Sequence, residues 1–354
     1  MNTKRELHVP EPRLPEPMDL PYPYLLFLGD TTEKGYAKTA FGLRDWARDR
    51  CSGEWSCDGT TVSTGLPRLT PKEARARGAR ALLIGVANVG GVIGDSWLPA
   101  LIEALESGLD IISGMHAILG DVPQLKSTAE RHGRRLIDVR TPPRNIPIAT
   151  GVKRSGKRLL TVGTDCAIGK KYTALALARA FTRRGLDADF RATGQTGIMI
   201  SGRGIPMDAV IADFAAGAAE MLTPAAPQQH WDVIEGQGSL FHPAYAGVSM
   251  ALLHGSQPDV IVVCHQPGRD RVLGHPSYLL PGIDETIELN VQLGRRTNAA
   301  IRCAGVGLDT SRLETAAARR LLADESERLG LPVADPIRGG MEFDLLVDAC
   351  LTST

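Results

Sequence analysis

Residues 159–181, LLTVGTDCAIGKKYTALALARAF, place a hydrophobic strand, a glycine-bearing loop and a lysine-led helix in the order that anion binding requires. At such a junction the loop N–H groups and the helix N-terminus converge and carry partial positive charge. Gly163, Thr164, Asp165, Cys166, Ala167, Ile168 and Gly169 form the expected cradle, and Lys170 adds a mobile cation for a terminal phosphate. Lys171 and Tyr172 follow on the first turn. The strict pattern G-x-x-x-x-G-K-[ST] is not met, because Thr164 holds the first-glycine position and Lys171 replaces the magnesium-binding hydroxyl. A second lysine there suits a metal-free pyrophosphate.

The form Gly-Thr-Asp-x-x-x-Gly-Lys resembles the phosphate loop of dethiobiotin synthetase and its relatives. Residues 192–197, ATGQTG, resemble the Gln-Thr-Gly turn of that enzyme. Residues 234–238, IEGQG, resemble its Glu-Gly-x-Gly segment, whose glutamate faces the metal and phosphates. Gln195, Thr196, Gly197, Glu235, Gly236, Gln237 and Ser239 are thereby expected near the carboxyl ends of neighbouring strands, where open α/β sheets place their ligands.

Five of the eight histidines lie between 230 and 275. His230 and His275 read as loop histidines satisfied by hydrogen bonds. His242 follows the glutamate loop and His265 ends the next strand, so either of them, or Glu235, is placed to take a proton from an attacking amine. Arg269 is a candidate clamp for an anionic group. No spacing of metal-ligand type appears among the histidines, and Cys51 and Cys57 have no partners for a zinc site; no metal is expected. In the first part of the chain, His116 lies just beyond a strand end, with Asn88–Gly91 at the equivalent place on the previous strand. Lys38 opens an amphipathic stretch and could contact a substrate.

Short aliphatic runs alternate with helical segments almost throughout, the pattern of parallel sheets covered by helices. Strands are predicted at 24–29, 79–87, 110–113 and 135–139, with helices at 96–106 and 122–132. After a linker-like segment at 141–151, strands are predicted at 158–162, 188–192, 231–235, 260–264 and 300–306, with helices at 170–184, 207–222 and 311–329. The expected fold class is α/β: two doubly wound parallel-sheet domains, a Rossmann-like one over 24–145 and a P-loop NTPase-like one over 146–354. A Pro-rich arm over 1–23 precedes them.

The 354 residues balance 40 Lys+Arg against 40 Asp+Glu, and only 5% are aromatic. Neutral charge argues against nucleic-acid and anionic-membrane partners, both of which need a basic excess. Free cysteines, no signal-type segment and no long apolar run point to a soluble, cytoplasmic protein. The 38 glycines exceed the roughly 7% of average proteins, and they fall at strand ends.

Taken together, VGTDCAIGK, FRATGQTGI, DVIEGQGSLFHPAY, LLHGSQPDVIVVCHQPGR and LDIISGMHAILGD resemble the DgcN family over residues 24 to 348. The resemblance implies acetyl-CoA-dependent N-acetylation of a D-amino acid, D-glutamate being the family's namesake substrate. For that reaction Glu235, His242 and His265 are candidates to accept the amine's proton, N–H groups near Gly236–Ser239 to stabilise the oxyanion, and Arg269 and Lys38 to meet substrate carboxylates. Two rivals share the loop. One is a ligase or kinase of dethiobiotin synthetase type using ATP and magnesium; the other is a non-enzymatic nucleotide-dependent switch. A homo-oligomer is expected by analogy with loop relatives.

Overall fold

A computed structural model describes residues 14–352, so most of the expected arm at 1–23 lies outside the described residues. The chain divides into two compact units, the first built from Glu16–Pro142 with Gly194–Ala209 added, the second from Pro143–Thr193 and the chain from Val210 onward.

The first unit runs β1 (Tyr24–Phe27), α1 (Lys38–Trp46), β2 (Cys51–Trp55), α2 (Pro71–Ala76), β3 (Ala81–Ile84), α3 (Leu98–Glu106), β4 (Asp110–Ser113), α4 (Pro123–His132) and β5 (Leu136–Asp138). Its sheet is ordered β2-β1-β3-β4-β5 with every pair parallel. The strands YLLF, ALLI and DIIS are buried at every position, because a parallel sheet has helices on both faces. Pro71 and a Thr70–Glu73 capping box start α2, and Gly133 in the left-handed region (φ 59°) stops α4.

The second unit contains β6 (Lys157–Gly163), α5 (Lys170–Arg183) and β7 (Ala188–Arg191). The chain then leaves it: α6 (Gln195–Ser201) belongs to the first unit. It returns for α7 (Ala212–Leu222), β8 (Trp231–Ile234), α8 (Ala246–Ser256), β9 (Val260–His265), the hairpin β10 (Arg271–Val272) and β11 (His275–Leu279), and α9 (Ile283–Gly294). It ends with β12 (Arg302–Leu308), α10 (Thr315–Leu329), β13 (Val333–Ala334) and α11 (Met341–Leu351). The sheet is ordered β13-β12-β9-β6-β8-β7, again all parallel, with the strand of the lysine loop at its centre. The proline-rich segment after Pro143 is tied down. Glu220 on α7 accepts from the N–H groups of Thr150 (3.0 Å) and Gly151 (2.9 Å).

Both domains are thus doubly wound α/β, as the alternation of elements predicts. Two local readings are corrected. The expected helix at 207–222 is a short 3-10 turn at Met207–Ala209 followed by α7 from Ala212. The expected turn at 192–197 opens a helix of the first unit, because Gly197–Ile200 are buried there as an apolar face. Among the described residues no helix is long and apolar enough to cross a membrane.

Candidate functional site

The loop between β6 and α5 closes on itself because two positions tolerate what a side chain would not. A methyl group at Gly163 would lie 2.5 Å from Ile168 Cδ1 and 2.9 Å from the Cys264 carbonyl oxygen. Gly169, at φ 101°, turns the chain into α5 in a conformation that glycine enters freely. Ala167 is also left-handed, at φ 52°. Lys170 is 6% exposed, and its Nζ donates to the Asp165 carbonyl oxygen at 2.5 Å. Burial holds its pKa below the usual lysine value. The Lys171 ammonium lies 5.5 Å from the centroid of the Tyr172 ring.

Asp165 is fully buried, and one carboxylate oxygen accepts from Arg269 (3.0 Å) and from the Leu273 N–H (2.9 Å). The other accepts from the Cys166 N–H at 2.6 Å. Arg269 also donates to the carbonyls of Cys166 (2.8 Å) and Ala167 (3.2 Å) and to Gln266 Oε1 (2.6 Å). Carbonyl and N–H groups of a trans peptide point in opposite directions, so these bonds turn the following N–H groups away from Arg269. The guanidinium therefore shapes the cradle.

Glu235, at the end of β8, is 4% exposed, and its Oε2 accepts from the Thr193 N–H at 3.0 Å. The Thr193 hydroxyl donates to the Glu235 carbonyl (2.7 Å) and accepts from Gln237 Nε2 (3.0 Å). Gly236 packs on the lysine loop: a methyl group there would lie 1.7 Å from the Thr161 carbonyl oxygen and 3.1 Å from Lys170 Cδ. Ser239 is buried, and its carbonyl accepts from the His242 N–H at 3.0 Å.

The histidines take different states. His242 Nδ1 accepts from the Ala244 N–H at 3.1 Å, so the neutral ring carries its proton on Nε2. That Nε2 is buried 3.9 Å from Asp165 Oδ1. Burial holds the His242 pKa below the usual imidazole range. His265 is half-buried, its Nδ1 is 3.0 Å from Thr164 Oγ1, and burial lowers its pKa too. His230 is satisfied, as expected, lying 3.2 Å from Asp232 and 3.0 Å from Asp187. His275 sits on β11 with its ring 5.1 Å from that of His242. Asp165, Cys166 and His242 bring three potential ligand atoms within 4.8 Å of one another. Asp165, however, already accepts from Arg269 and two N–H groups, a poor starting point for a metal ion.

Beside the start of α5 lies a recess of about 300 Å³. Ile168, Tyr172, Leu308, Pro336 and Ile337 give it apolar walls, with Asp309 and Ser311 at its edge. Asp335 fixes the wall by accepting from the N–H groups of Thr310 (3.1 Å), Ile337 (2.9 Å) and Arg338 (3.1 Å).

The remaining predicted residues belong to the first unit. Thr196 on α6 shares a 2.9 Å hydrogen bond with Thr39, the neighbour of Lys38 on α1. Gln195 packs so closely on Gly114 that a methyl group there would lie 2.7 Å from its Cβ. His116 meets Arg140, which in turn pairs with Asp208, two residues that sequence reasoning passed over. Arg140 lies one position past the predicted strand at 135–139, and that was the available signal.

Residues 147–346 match the family described as "Domain of unknown function (DUF1611_C) P-loop domain", and residues 49–142 match "Domain of unknown function (DUF1611_N) Rossmann-like domain". A D-glutamate N-acetyltransferase of Tritonibacter scottomollicae is 50% identical over 327 residues, covering 92% of this chain and 98% of the relative. A second D-glutamate N-acetyltransferase, from a Pseudoalteromonas species, is 47% identical over 325 residues with the same coverage of each chain. The crystal structure of a DUF1611 family protein from Anabaena variabilis superposes with a TM-score of 0.84 at 32% identity, covering 93% of this chain and 99% of that one.

Proposed function

From the premise that this chain belongs to the DUF1611 family and is an acyltransferase, we propose that it transfers an acetyl group from acetyl-CoA to the amino nitrogen of D-glutamate. The observation that carries the reading is the 50% identity, over nearly the whole length of both chains, to a relative named for that reaction. The geometry supports the donor. The loop N–H groups and Lys170 suit the pyrophosphate of a coenzyme A thioester, and the adjoining 300 Å³ recess suits its heterocycle. Lys171 in place of a hydroxyl removes the usual magnesium ligand of a P-loop.

In the reaction the neutral amine attacks the thioester carbonyl carbon. A C–N bond forms, the C–S bond breaks, the amine's proton passes to a base, and the departing thiolate takes a proton. Glu235 and His265 are candidates to accept the amine's proton. His242 is set differently: with Nδ1 already accepting an N–H and the proton on Nε2, it presents a donor and not an acceptor. N–H groups of the Gly236–Ser239 segment are candidates for stabilising the oxyanion.

The test is incubation of the purified protein with acetyl-CoA and each of D- and L-glutamate, following free thiol and acetylated product. Thiol release matched by N-acetyl-D-glutamate is expected. Amino-acid-dependent ATP hydrolysis without thiol release would replace this reading with the ligase one.

A further inference from the structure

The carboxyl edge of the five-stranded sheet carries charged groups that the phosphate loop does not use. Arg140, just beyond β5, is held from three directions. Its Nε donates to the Gly114 carbonyl at 3.0 Å, and one terminal nitrogen donates to His116 Nε2 at 2.7 Å and to Asp208. The guanidinium side chain is 11% exposed, yet its other terminal nitrogen has no hydrogen-bond partner among the described residues and is not sealed from solvent. Asp208 uses one carboxylate oxygen on Arg140; the second accepts nothing among the described residues, and the side chain is 33% exposed.

The cluster is built. Gly91 (φ 59°) presses on His116 so closely that a methyl group would lie 2.6 Å from its Cδ2. Burial, then the Arg140 charge, keeps His116 below the usual imidazole pKa, so it accepts from the guanidinium without repelling it. Asp208 arrives on residues 194–209, the segment that the chain sends out of the P-loop unit. The Met18 N–H to the Gly202 carbonyl (2.8 Å) and Arg50 to the Ile200 carbonyl (3.1 Å) fasten that segment to the first unit. The groups follow β4 and β5, at the end of an open α/β sheet where ligands bind.

We propose that Arg140 and Asp208, steadied by His116, form a receptor for the zwitterionic head of a free α-amino acid. The unused guanidinium nitrogen takes the α-carboxylate, and the unused Asp208 oxygen takes the ammonium. A neutral ion pair presenting one donor end and one acceptor end matches a group that is itself neutral and carries one of each. The proposal rests on the amino-acid acetylation reading, whose acceptor carries this head group.

The test is steady-state kinetics of the full chain with Arg140→Gln, Arg140→Lys and Asp208→Asn, checked for folding by thermal unfolding. The KM for D-glutamate should rise at least tenfold in Arg140→Gln and Asp208→Asn, and less in Arg140→Lys, while the KM for acetyl-CoA stays within twofold. Glutarate, which has the carboxylates but no amine, should inhibit Asp208→Asn as well as it inhibits wild type, and Arg140→Gln poorly. Unchanged KM for D-glutamate in folded variants of an active enzyme would overturn the receptor and leave the reaction standing. If Arg140→Gln fails to fold, the Asp208→Asn comparison decides. If wild type acetylates no amino acid, the reaction reading fails. Calorimetric binding of D-glutamate to wild type but not to Asp208→Asn would then still support the receptor, and equal binding would overturn it.

Discussion

Arg269 donates to the buried Asp165 carboxylate at 3.0 Å and to the carbonyls on either side of the Cys166–Ala167 step, so a residue beyond β9 sets the shape of the phosphate loop. Sequence reasoning offers Arg269 as a clamp on an anionic ligand. The geometry gives it a positioning part, turning the loop N–H groups that a bound phosphate would meet. Arg269→Ala strands a fully buried carboxylate without its cation, a loss on the order of 3 kcal/mol. The urea unfolding midpoint should fall accordingly, and calorimetric affinity for coenzyme A should drop about tenfold or more. Arg269→Lys restores charge without the fork and should recover stability better than affinity.

Gly236 stands where no side chain fits. Its substitution by alanine sets a methyl carbon 1.7 Å from the Thr161 carbonyl oxygen, so either β6 or the Glu235 loop must move. We expect Gly236→Ala to lose about 3 kcal/mol of unfolding free energy or more, by denaturant titration. Gly247→Ala is the control: a methyl group there meets nothing within 4 Å, and stability should hold.

The recess beside α5 gives a separable prediction. Ile337, 58% exposed on its wall, can be changed without disturbing a buried core. Ile337→Asp puts a charge against the proposed heterocycle. Affinity for coenzyme A should fall about tenfold, near 1.4 kcal/mol, while affinity for the bare pyrophosphate ion changes little. Equal loss for both ligands would show that the recess acts only through the loop.

Acid should weaken the fold before carboxylates titrate. His116, His242 and His265 all have folded pKa values held below the ordinary 6.5, chiefly by burial. Between the folded and unfolded values the unfolded chain binds more protons, so their contribution to stability is present above 6.5 and lost as pH falls through the folded values. His230 has the opposite sign, because its hydrogen bond to Asp232 raises its pKa. Its contribution is complete below 6.5 and lost as pH rises through the folded value. Unfolding free energy measured from about pH 7 down to about pH 5.5 should decline more steeply in His230→Gln than in wild type, and less steeply in His242→Gln.

Most strands were legible because they are short, largely apolar runs, though β2, CSGEW, lacks that signal and went unpredicted; the lysine loop was legible because glycine, lysine and helix follow a strand in fixed order. Leu159–Gly163 and Val260–His265 show both cases. Of the helices missed, α2 and α9 carry polar faces, whereas α8 has none to set a period. AGVSMALLHGS, now α8, is apolar nearly all round and includes two glycines. The excursion of Gln195–Ser201 was hidden because local pattern marks a helix or turn but not the sheet it packs on; only the Thr39–Thr196 and Gly114–Gln195 contacts reveal that. Arg140 was passed over for the same reason. Its partner Asp208 is 68 residues away, and the prolines after it read as linker. The donor and acceptor states of His242 and His265 depend on single bonds to Ala244 and Thr164, which sequence does not specify.

We propose above that the β6–α5 loop holds a coenzyme A thioester and not a magnesium nucleotide. Isothermal calorimetry of wild type and Lys170→Ala with coenzyme A, and separately with ATP and magnesium, tests it most directly. The expected result is saturable binding of coenzyme A to wild type without magnesium, weakened at least a hundredfold in Lys170→Ala, with ATP binding far weaker. Tight magnesium-dependent ATP binding that Lys170→Ala removes, alongside coenzyme A affinity indifferent to Lys170, would contradict it.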